Sequence, residues 1–226
     1  MFFLYQIFLS LIILISPIII IFRILKKKED KIRFKEKFSI PSKKRSKGKV
    51  IWFHGASVGE ILSVIPLIEY YEKDKSINQI IVTSTTLSSS KVLNEFKFKK
   101  TIHQFYPIDH IYIAKKFLEY WKPDLSIFID SEIWPCMFRQ LEREKIPLVL
   151  INARITKSSF SKWQLFSKFA NQIFSKISLA LPQNLETLKY LKILKVKNIK
   201  TAGNLKYYGK KNNQFNKAKQ LKNKFI

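Results

Sequence analysis

The chain has 226 residues, which is enough for one sizeable domain with appendages or for two small domains. Apolar residues make up 46% and charged residues 26%, a balance that excludes a wholly disordered chain. The single cysteine, Cys136, excludes an intrachain disulfide and a cysteine-based metal cluster, and is typical of a reducing compartment. His54, His103 and His110 are too scattered to indicate a metal site by spacing, so we expect no metal and no cofactor.

The net charge of +26 is concentrated in two segments. Residues 23–49 carry 13 basic and 3 acidic side chains, and residues 206–224 carry 7 basic and no acidic ones. A basic segment beside an apolar stretch fits an anionic membrane surface better than DNA or RNA. Since no nucleic-acid recognition motif occurs either, we expect anionic membrane lipids, and no nucleic acid, among the partners.

The first predicted element is a membrane anchor helix over residues 1–25. Its first 22 residues carry no charged side chain, and roughly 20 helical residues cover about 30 Å, one hydrocarbon thickness. Positive charge follows the apolar run from Arg23 onward instead of preceding it, which is the reverse of a signal peptide. The positive-inside rule therefore places the rest of the chain on the cytoplasmic face. Pro17 is a candidate kink, and whether the helix spans the membrane or lies partly embedded is left open.

Residues 26–48 are predicted to form a basic connector that ends in a loop containing Pro41 and Gly48. Three apolar residues within it, Ile32, Phe34 and Phe38, indicate a short helix. That helix is expected to lie either on the bilayer surface or on the folded domain.

Short apolar runs then alternate with longer amphipathic ones, which predicts an α/β domain with a Rossmann-like parallel sheet over residues 49–207. The predicted strands are Val50–His54, Gln79–Ser84, Thr101–Phe105, Leu125–Asp130, Pro147–Asn152, Leu179–Leu181 and Ile199–Ala202. The predicted helices are Glu60–Glu72, Ser88–Phe96, Ile111–Trp121, Trp134–Glu144, Ser161–Ser175 and Leu185–Leu194. Residues 208–226 are predicted to be a basic tail.

The segments that follow the predicted strands are the candidate site, because the carboxyl ends of parallel strands share one edge where ligands bind. After the first strand comes His54-Gly55-Ala56-Ser57-Val58-Gly59-Glu60. Its two glycines allow backbone to approach a ligand, and the carboxylate of Glu60 at a helix start is well placed to accept a proton. The alternative is that Glu60 only caps the helix and complements its dipole, worth about 0.3–1 kcal/mol.

Four further turns bring hydroxyl, carboxylate, amide and basic groups to the same edge, a set suited to sugars and phosphates. They are Thr83-Ser84-Thr85-Thr86, Asp130-Ser131-Glu132-Ile133-Trp134-Pro135, Asn152-Ala153-Arg154 and Gly203-Asn204-Leu205-Lys206. Structural alternatives stay open: the Thr/Ser turn as a helix N-cap, and Trp134-Pro135 as a helix start. Asp130 with Glu132 is a weak metal-binding pattern.

Four segments, residues 54–60, 130–135, 152–156 and 203–206, resemble in order and spacing the 3-deoxy-D-manno-octulosonic acid (Kdo) transferases of Gram-negative bacteria. The resemblance implies a GT-B glycosyltransferase, of which residues 49–207 would form the N-terminal, acceptor-side domain. It also implies an inner-membrane enzyme that moves Kdo from CMP-Kdo to the lipid A precursor, lipid IVA, in lipopolysaccharide synthesis. Direct displacement with inversion and without a metal is then expected.

The resemblance also implies roles for individual residues. Glu60 matches the proton acceptor, and Glu132 and Lys206 match the positions that stabilise the transition state. Ser57, Gly59, Thr85, Arg154 and Asn204 are predicted to bind substrate, with Ser57 and Arg154 contacting phosphates of the acceptor. Gly55 and the Asp130-Ser131 pair are conservative departures from the family pattern.

Members of that family carry a second domain that binds CMP-Kdo, whereas this sequence ends at Ile226. We therefore expect a fragment of a longer chain, a donor half on a separate chain, or a protein without transferase activity alone. The alternative function is a non-catalytic membrane module that binds the anionic lipid A precursor. A nucleic-acid binder, indicated by net charge alone, is a weaker rival.

Overall fold

The computed structural model describes residues 1–201. Within this range the strands are β1 (Lys49–His54), β2 (Ile77–Ser84), β3 (Thr101–Phe105), β4 (Leu125–Ile129), β5 (Leu148–Ala153) and β6 (Leu179–Pro182). The helices are α1 (Phe2–Leu25), α2 (Val58–Lys73), α3 (Leu87–Asn94), α4 (Ile111–Trp121), α5 (Pro135–Arg143), α6 (Lys157–Leu165), α7 (Ser167–Phe174) and α8 (Leu185–Ile193). A short 3-10 helix spans Arg33–Phe38.

The six strands form one sheet in the order β3-β2-β1-β4-β5-β6, and all neighbours are parallel. β1 lies in the middle, where Ile51 pairs with Ile80 of β2 on one side and with Leu125 of β4 on the other. The order of connection reverses between β1 and β4, and the crevice at the carboxyl ends of those two strands is where such sheets bind ligands. The predicted α/β Rossmann-like fold is thus confirmed.

Both faces of the sheet are covered, because successive residues of the central strand point to opposite sides. Trp52 belongs to the larger core, where its ring lies 4.7 Å from that of Phe117 and 5.0 Å from that of Phe128. Phe53 belongs to the second core, with Ile61 among its neighbours. Helices α4, α5, α7 and α8 contribute to the first core, and α2 and α3 to the second. This double cover explains why β1 reads as a continuous apolar run.

Two predicted elements were wrong. The single helix predicted over Ser161–Ser175 is two helices, α6 and α7, which meet at Phe166 with φ −125° and ψ 49°, outside the helical region. The break lets α7 turn Phe169 and Phe174 into the core, whereas α6 buries no residue. The strand predicted over Ile199–Ala202 is, as far as residue 201, one isolated bridge from Ile199 to Ala180, because the neighbouring β6 offers only four residues to pair with.

The 3-10 helix of the connector lies on the folded domain, which decides between the two expected positions. The guanidinium of Arg33 donates to both carboxylate oxygens of Glu36 at 2.8 and 3.0 Å and to the backbone oxygen of His103 at 2.9 Å. Glu36 in turn accepts the backbone N–H of Phe105 at 2.6 Å. The connector is therefore attached to the edge strand β3 by buried polar contacts.

Helix α1 continues through Pro17 without interruption. By length and composition it is the one helix within residues 1–201 that could cross a membrane. Most of its surface is exposed, and it carries large apolar side chains such as Phe3 and Leu14, which are 74% and 76% exposed. An apolar helix with this exposure is a candidate for contact with lipid.

Candidate functional site

The turn between β1 and α2 holds Glu60 in a variant of the capping box, in which its carboxylate binds the hydroxyl of the N-cap residue Ser57 and the N–H of the residue before it. The hydroxyl of Ser57 accepts the backbone N–H of Glu60 at 3.3 Å and donates to its Oε1 at 2.9 Å. The other carboxylate oxygen, Oε2, accepts the backbone N–H of Ala56 at 2.7 Å. Glu60 thus caps α2, as the structural alternative expected, and its carboxylate is fixed at the carboxyl edge of the sheet.

The environment of Glu60 raises its affinity for a proton. Burial raises the pKa of Glu60, and repulsion from the nearby carboxylates of Glu132 and Asp130 raises it further. Hydrogen bonds from Ser57 and Ala56 act in the opposite direction but do not cancel the shift. A half-buried carboxylate whose pKa is raised toward neutrality is better suited to general base catalysis than an ordinary surface glutamate.

Glu132 follows β4 and lies across the switch point from β1. Its Oε2 accepts the indole N–H of Trp134 at 2.9 Å and lies 3.1 Å from Nε2 of His54. The side chain of Glu132 is 13% exposed, so the carboxylate is largely enclosed but still open to the edge. Pro135 begins α5 directly after Trp134, and the helix start fixes the position of this loop.

His54, at the end of β1, contacts both Thr83 of β2 and Glu132 after β4. Its ring is fully buried and stacks on Tyr106 with a centroid distance of 3.8 Å, while Nδ1 lies 3.0 Å from the hydroxyl of Thr83. Burial lowers the pKa of His54 even though Glu132 opposes the shift, so the ring is neutral. The contact with the carboxylate of Glu132 is a hydrogen bond when the ring is protonated on Nε2, because a carboxylate can only accept.

Sequence reasoning included His54 only as part of a motif and missed its contact with Glu132. The two residues are 78 positions apart, and their contact requires β1 and β4 to be neighbours. The available signal was a polar ring at the end of a buried strand, directly before Gly55. A Cβ on Gly55 would lie 3.0 Å from Cβ of Glu60 and 3.1 Å from Cδ1 of Ile129, so this turn packs tightly beneath the site.

The other predicted substrate-binding residues of the described range lie at the same edge. Thr85 donates its hydroxyl to the backbone oxygen of Ala56 at 3.0 Å and so supports the turn that carries Glu60. The nearest neighbour of a Cβ on Gly59 would be the Ser57 hydroxyl at 4.0 Å, so there is open space beside the capping box. Arg154 is exposed after β5, and within residues 1–201 its guanidinium makes no hydrogen bond or ion pair.

Two predicted site residues, Asn204 and Lys206, lie outside the described residues. The structural alternative for the Thr/Ser turn holds at Thr86, whose hydroxyl accepts the backbone N–H of Ser89 at 3.2 Å and caps α3. Asp130 adopts a left-handed backbone with φ 63°, a conformation that aspartate tolerates better than most residues, so its identity has a backbone reason as well. No group of three metal-ligating side chains occurs within residues 1–201.

The structure therefore brings Glu60 and Glu132 together at the switch point and fixes both through one turn. Glu60 binds the backbone of Ala56, and Glu132 faces the ring of His54, which lies two residues before Ala56 in the same turn. Thr85 and the open space at Gly59 lie beside the same turn. One carboxylate with raised proton affinity next to a second, enclosed carboxylate can accept a proton from a hydroxyl and stabilise positive charge that develops nearby.

Solved structures with the same fold include nucleotide-sugar enzymes. The chain aligns with UDP-GlcNAc 2-epimerase from Neisseria meningitidis, bound to UDP-GlcNAc, with a TM-score of 0.51 and 15% identity. The alignment covers 70% of this chain and 47% of the epimerase. A second UDP-N-acetylglucosamine 2-epimerase gives a TM-score of 0.50 at 15% identity, over 70% of this chain and 49% of that enzyme. At this identity the similarity shows the fold alone.

Sequence comparisons identify the family. The profile of the family described as 3-deoxy-D-manno-octulosonic-acid transferase (kdotransferase) matches residues 32–208. Among individual proteins, the 3-deoxy-D-manno-octulosonic acid transferase of Rickettsia bellii (strain RML369-C) is 37% identical over 90% of this chain and 49% of its own length. A probable mitochondrial 3-deoxy-D-manno-octulosonic acid transferase of Arabidopsis thaliana is 35% identical over 80% of this chain and 41% of its own length. The chain spans at most about half the length of these relatives, and it belongs to the 3-deoxy-D-manno-octulosonic acid transferase family.

Proposed function

We propose that this chain is the acceptor-binding part of an enzyme that transfers Kdo from CMP-Kdo to the lipid A precursor, lipid IVA. The transfer takes place at the cytoplasmic face of the inner membrane, to which α1 attaches the protein. Family membership supports Kdo transfer in lipopolysaccharide synthesis as the reaction class. The observation that carries the mechanism is the carboxylate of Glu60, fixed at the switch point and with a pKa raised by burial and by Glu132.

In the proposed reaction a hydroxyl oxygen of the acceptor forms a bond to the anomeric carbon of Kdo. The bond from that carbon to the phosphate oxygen of CMP breaks, and CMP leaves with the electron pair. Glu60 takes the proton of the attacking hydroxyl, because an alcohol is a poor nucleophile until its proton is removed as the new bond forms. Attack opposite to the departing CMP inverts the configuration at the anomeric carbon.

The remaining charged groups stabilise the transition state. Glu132, enclosed and hydrogen-bonded to Trp134, offers negative charge where positive charge develops on the sugar ring. Lys206, which follows the described residues, offsets the negative charge that the departing phosphate gains. The guanidinium of Arg154, exposed at the same edge, and the hydroxyl of Ser57 are suited to phosphates of the acceptor. Asn204 and the hydroxyl of Thr85 are suited to its sugar oxygens.

The test compares Glu60→Gln with Ser57→Ala in the complete protein, by which we mean this chain together with the part that binds CMP-Kdo. The quantity measured is the rate at which labelled Kdo is transferred from CMP-Kdo to lipid IVA in membranes. Glutamine is accepted at this position of a capping box, so Glu60→Gln keeps the helix start but removes the base. We expect it to lower the transfer rate by at least about 10²-fold at an unchanged melting temperature. Ser57→Ala weakens the cap by about 1 kcal/mol and removes a contact with the acceptor but keeps the base, so it should cost much less activity, mainly through a higher KM for lipid IVA.

Retention of transfer by Glu60→Gln would show that Glu60 serves only as a helix cap and would overturn its role as the base. The non-catalytic alternative is tested with residues 1–226 alone. If the chain binds vesicles that contain lipid IVA, and the complete protein transfers no Kdo, the binding module is the correct function. Transfer by the complete protein that Glu60→Gln abolishes supports the enzyme.

A further inference from the structure

One side of α1 faces the protein along the whole length of the helix. Positions that are buried or half-buried recur every three or four residues, which is the period of a helix face: Phe2, Tyr5, Leu9, Ile12, Ser16, Ile20 and Arg23. Polar side chains of the helix, the hydroxyls of Tyr5 and Ser16 among them, lie on this side. The helix therefore lies along the surface of the protein and does not project from it.

The first turns of α1 are bound to the loop before α4 and to the start of α5. The hydroxyl of Tyr5 donates to Oδ2 of Asp109 at 2.9 Å, and Asp109, which is 3% exposed, also accepts the backbone N–H groups of Cys136 and Met137. The guanidinium of Arg139 lies 4.3 Å from the ring centroid of Phe2. These contacts place the N-terminal end of the helix against the folded domain.

The other end of α1 returns to the same loop. Arg23 pairs with the buried carboxylate of Glu29 at 3.0 Å, and Glu29 also binds the ammonium of Lys37. The backbone oxygen of Lys37 accepts the N–H of Ile108 at 2.9 Å. Ile108 is the residue before Asp109, so the C-terminal end of the helix is linked to the same loop indirectly, through Glu29 and Lys37.

These attachments are incompatible with a helix that crosses a bilayer. Tyr5 and Arg23 are 18 residues apart, which is about 27 Å along a helix and nearly the thickness of the hydrocarbon region. A spanning helix would hold Tyr5 on the far side of the membrane, away from Asp109. Asp109 would then lose its hydroxyl partner.

The side of α1 that faces away from the protein is apolar from end to end. Leu4, Leu11, Ile18 and Leu25, each seven residues apart, are 54–74% exposed. The helix is followed directly by the exposed residues Lys26, Lys27 and Lys28, which suit the headgroups of an anionic leaflet. The protein, instead of water, covers the opposite side, and the one charged residue of the helix on that side, Arg23, is paired with Glu29.

We propose that α1 lies in the plane of the membrane, with its apolar side inserted into one anionic leaflet and its other side bound to the domain. This inference rests on the membrane attachment in the proposed function and makes the protein monotopic. It also places the edge that carries Glu132 close to the membrane, because the side chain of Gln6 in α1 contacts Cys136, four residues after Glu132. An acceptor whose acyl chains stay in the leaflet would then present its sugars to the edge that holds Glu60 and Glu132.

The test measures the depth of spin labels on α1 in the complete protein, bound to vesicles of phosphatidylethanolamine and phosphatidylglycerol. Single cysteines replace Leu4, Leu11, Ile18 or Leu25 in a Cys136→Ser background, since serine can still accept the hydrogen bond from Gln6. Collisions with oxygen and with a water-soluble nickel complex report the depth of each label. Glu144→Cys, at an exposed position after α5, is the control in water.

An in-plane helix gives four labels at one shallow depth, within about one turn of helix, 5 Å. A spanning helix changes depth by about 10 Å between successive labels, with the deepest labels in the middle, and that result would overturn the inference. The proposed function would survive it, because the protein would still float with the vesicles. Failure to float with anionic vesicles would contradict membrane attachment itself, and with it this inference.

Discussion

The imidazole of His54 faces the carboxylate of Glu132 across the switch point of the sheet, with Nε2 3.1 Å from Oε2. His54 ends the central strand, is fully buried and stacks on Tyr106, so its position is determined by the core. Glu132 lies in the loop after β4 and is held by this ring and by the indole of Trp134. The core thereby sets the direction of a carboxylate at the edge of the sheet.

The first prediction concerns His54 as a positioning residue and compares two substitutions. His54→Phe keeps an aromatic ring against Tyr106 but removes the donor to Glu132, whereas His54→Gln keeps a donor and loses the ring. Without the donor, the carboxylate of Glu132 is expected to move, and a displacement of about 1 Å in a catalytic site costs on the order of 10²-fold in rate. We therefore expect His54→Phe to lower kcat by about that factor at a nearly unchanged melting temperature. Glutamine should restore part of kcat.

The measurement is steady-state Kdo transfer by the complete protein, with kcat and KM determined separately. A positioning role lowers kcat more than it raises KM for either substrate. If the rates of both variants simply follow their melting temperatures, His54 is a core residue without a role in positioning Glu132.

The second prediction concerns the titration of Glu60. Because repulsion from Glu132 contributes to the raised pKa of Glu60, Glu132→Gln should lower that pKa toward the ordinary value for glutamate. Carbon NMR of the labelled side-chain carboxyl reports the titration without requiring turnover. An unchanged titration of Glu60 in Glu132→Gln would show that the two carboxylates are not coupled.

The same shift has a consequence for stability. The folded state holds the proton of Glu60 more tightly than the unfolded chain does. The contribution of Glu60 to the free energy of unfolding is therefore largest at low pH and falls as the pH rises through the interval between the ordinary and the raised pKa. In Glu60→Gln this component of the pH dependence should be missing from urea unfolding curves measured across that interval.

Local patterns in the sequence were sufficient to predict the contacts that residues make within one turn. The spacing of Ser57 and Glu60 is that of a capping box, and the structure forms it. Alternation of apolar runs predicted all six strands that the structure describes, because buried parallel strands have an unmistakable composition. The break at Phe166 was not predictable in this way, since residues on both sides of it favour helix equally and the core decides the turn.

To predict contacts between residues of different strands, one needs the order of the strands in the sheet. The alternation of apolar and amphipathic runs does not determine that order. His54 meets Glu132, and Arg33 meets His103, only because β1 neighbours β4 and the connector passes along β3. The sequence also left open whether the short helix of the connector lies on the bilayer or on the folded domain, and it did not predict that Glu36 within it is 2% exposed. The connector's few acidic residues among many basic ones, with Glu29 buried as well as Glu36, were the available signal for buried ion pairs.

The third prediction concerns the open space at Gly59. A Cβ there has no neighbour nearer than 4.0 Å, and alanine in a helix is more stable than glycine by about 0.5–1 kcal/mol, so Gly59→Ala should not destabilise the protein. The added methyl group lies beside the hydroxyl of Ser57, where we propose that the acceptor binds. Kdo transfer should therefore fall, mainly through a higher KM for lipid IVA.

Gly55→Val provides the contrast, because its side chain meets Glu60 and Ile129 at the distances of a tight contact. Overpacking of this kind costs about 1–3 kcal/mol, so here the melting temperature should fall together with activity. Normal transfer by Gly59→Ala would show that the acceptor does not approach this part of the turn.

The last prediction concerns the ion pair that attaches the connector to β3. Glu36 is 2% exposed and binds Arg33 through both oxygens, so Glu36→Ala leaves the guanidinium of Arg33 without its opposite charge and the N–H of Phe105 without its acceptor. Breaking a buried pair on one side costs about 3–5 kcal/mol. The double variant Arg33→Ala/Glu36→Ala should lose clearly less than the sum of the two single variants, as measured by urea unfolding.

The exposed pair of Lys115 and Glu119 is the matched control, because its atoms are 3.6 Å apart and both side chains are about half exposed. Glu119→Ala should change the free energy of unfolding by less than about 0.5 kcal/mol, since solvent screens such pairs. Additive losses at Arg33 and Glu36 would show that the two residues are not coupled. Coupling, in contrast, would show that the two residues act as one unit of the connector. Through its contacts with His103 and Phe105 this unit holds the connector, and with it the end of α1, against β3.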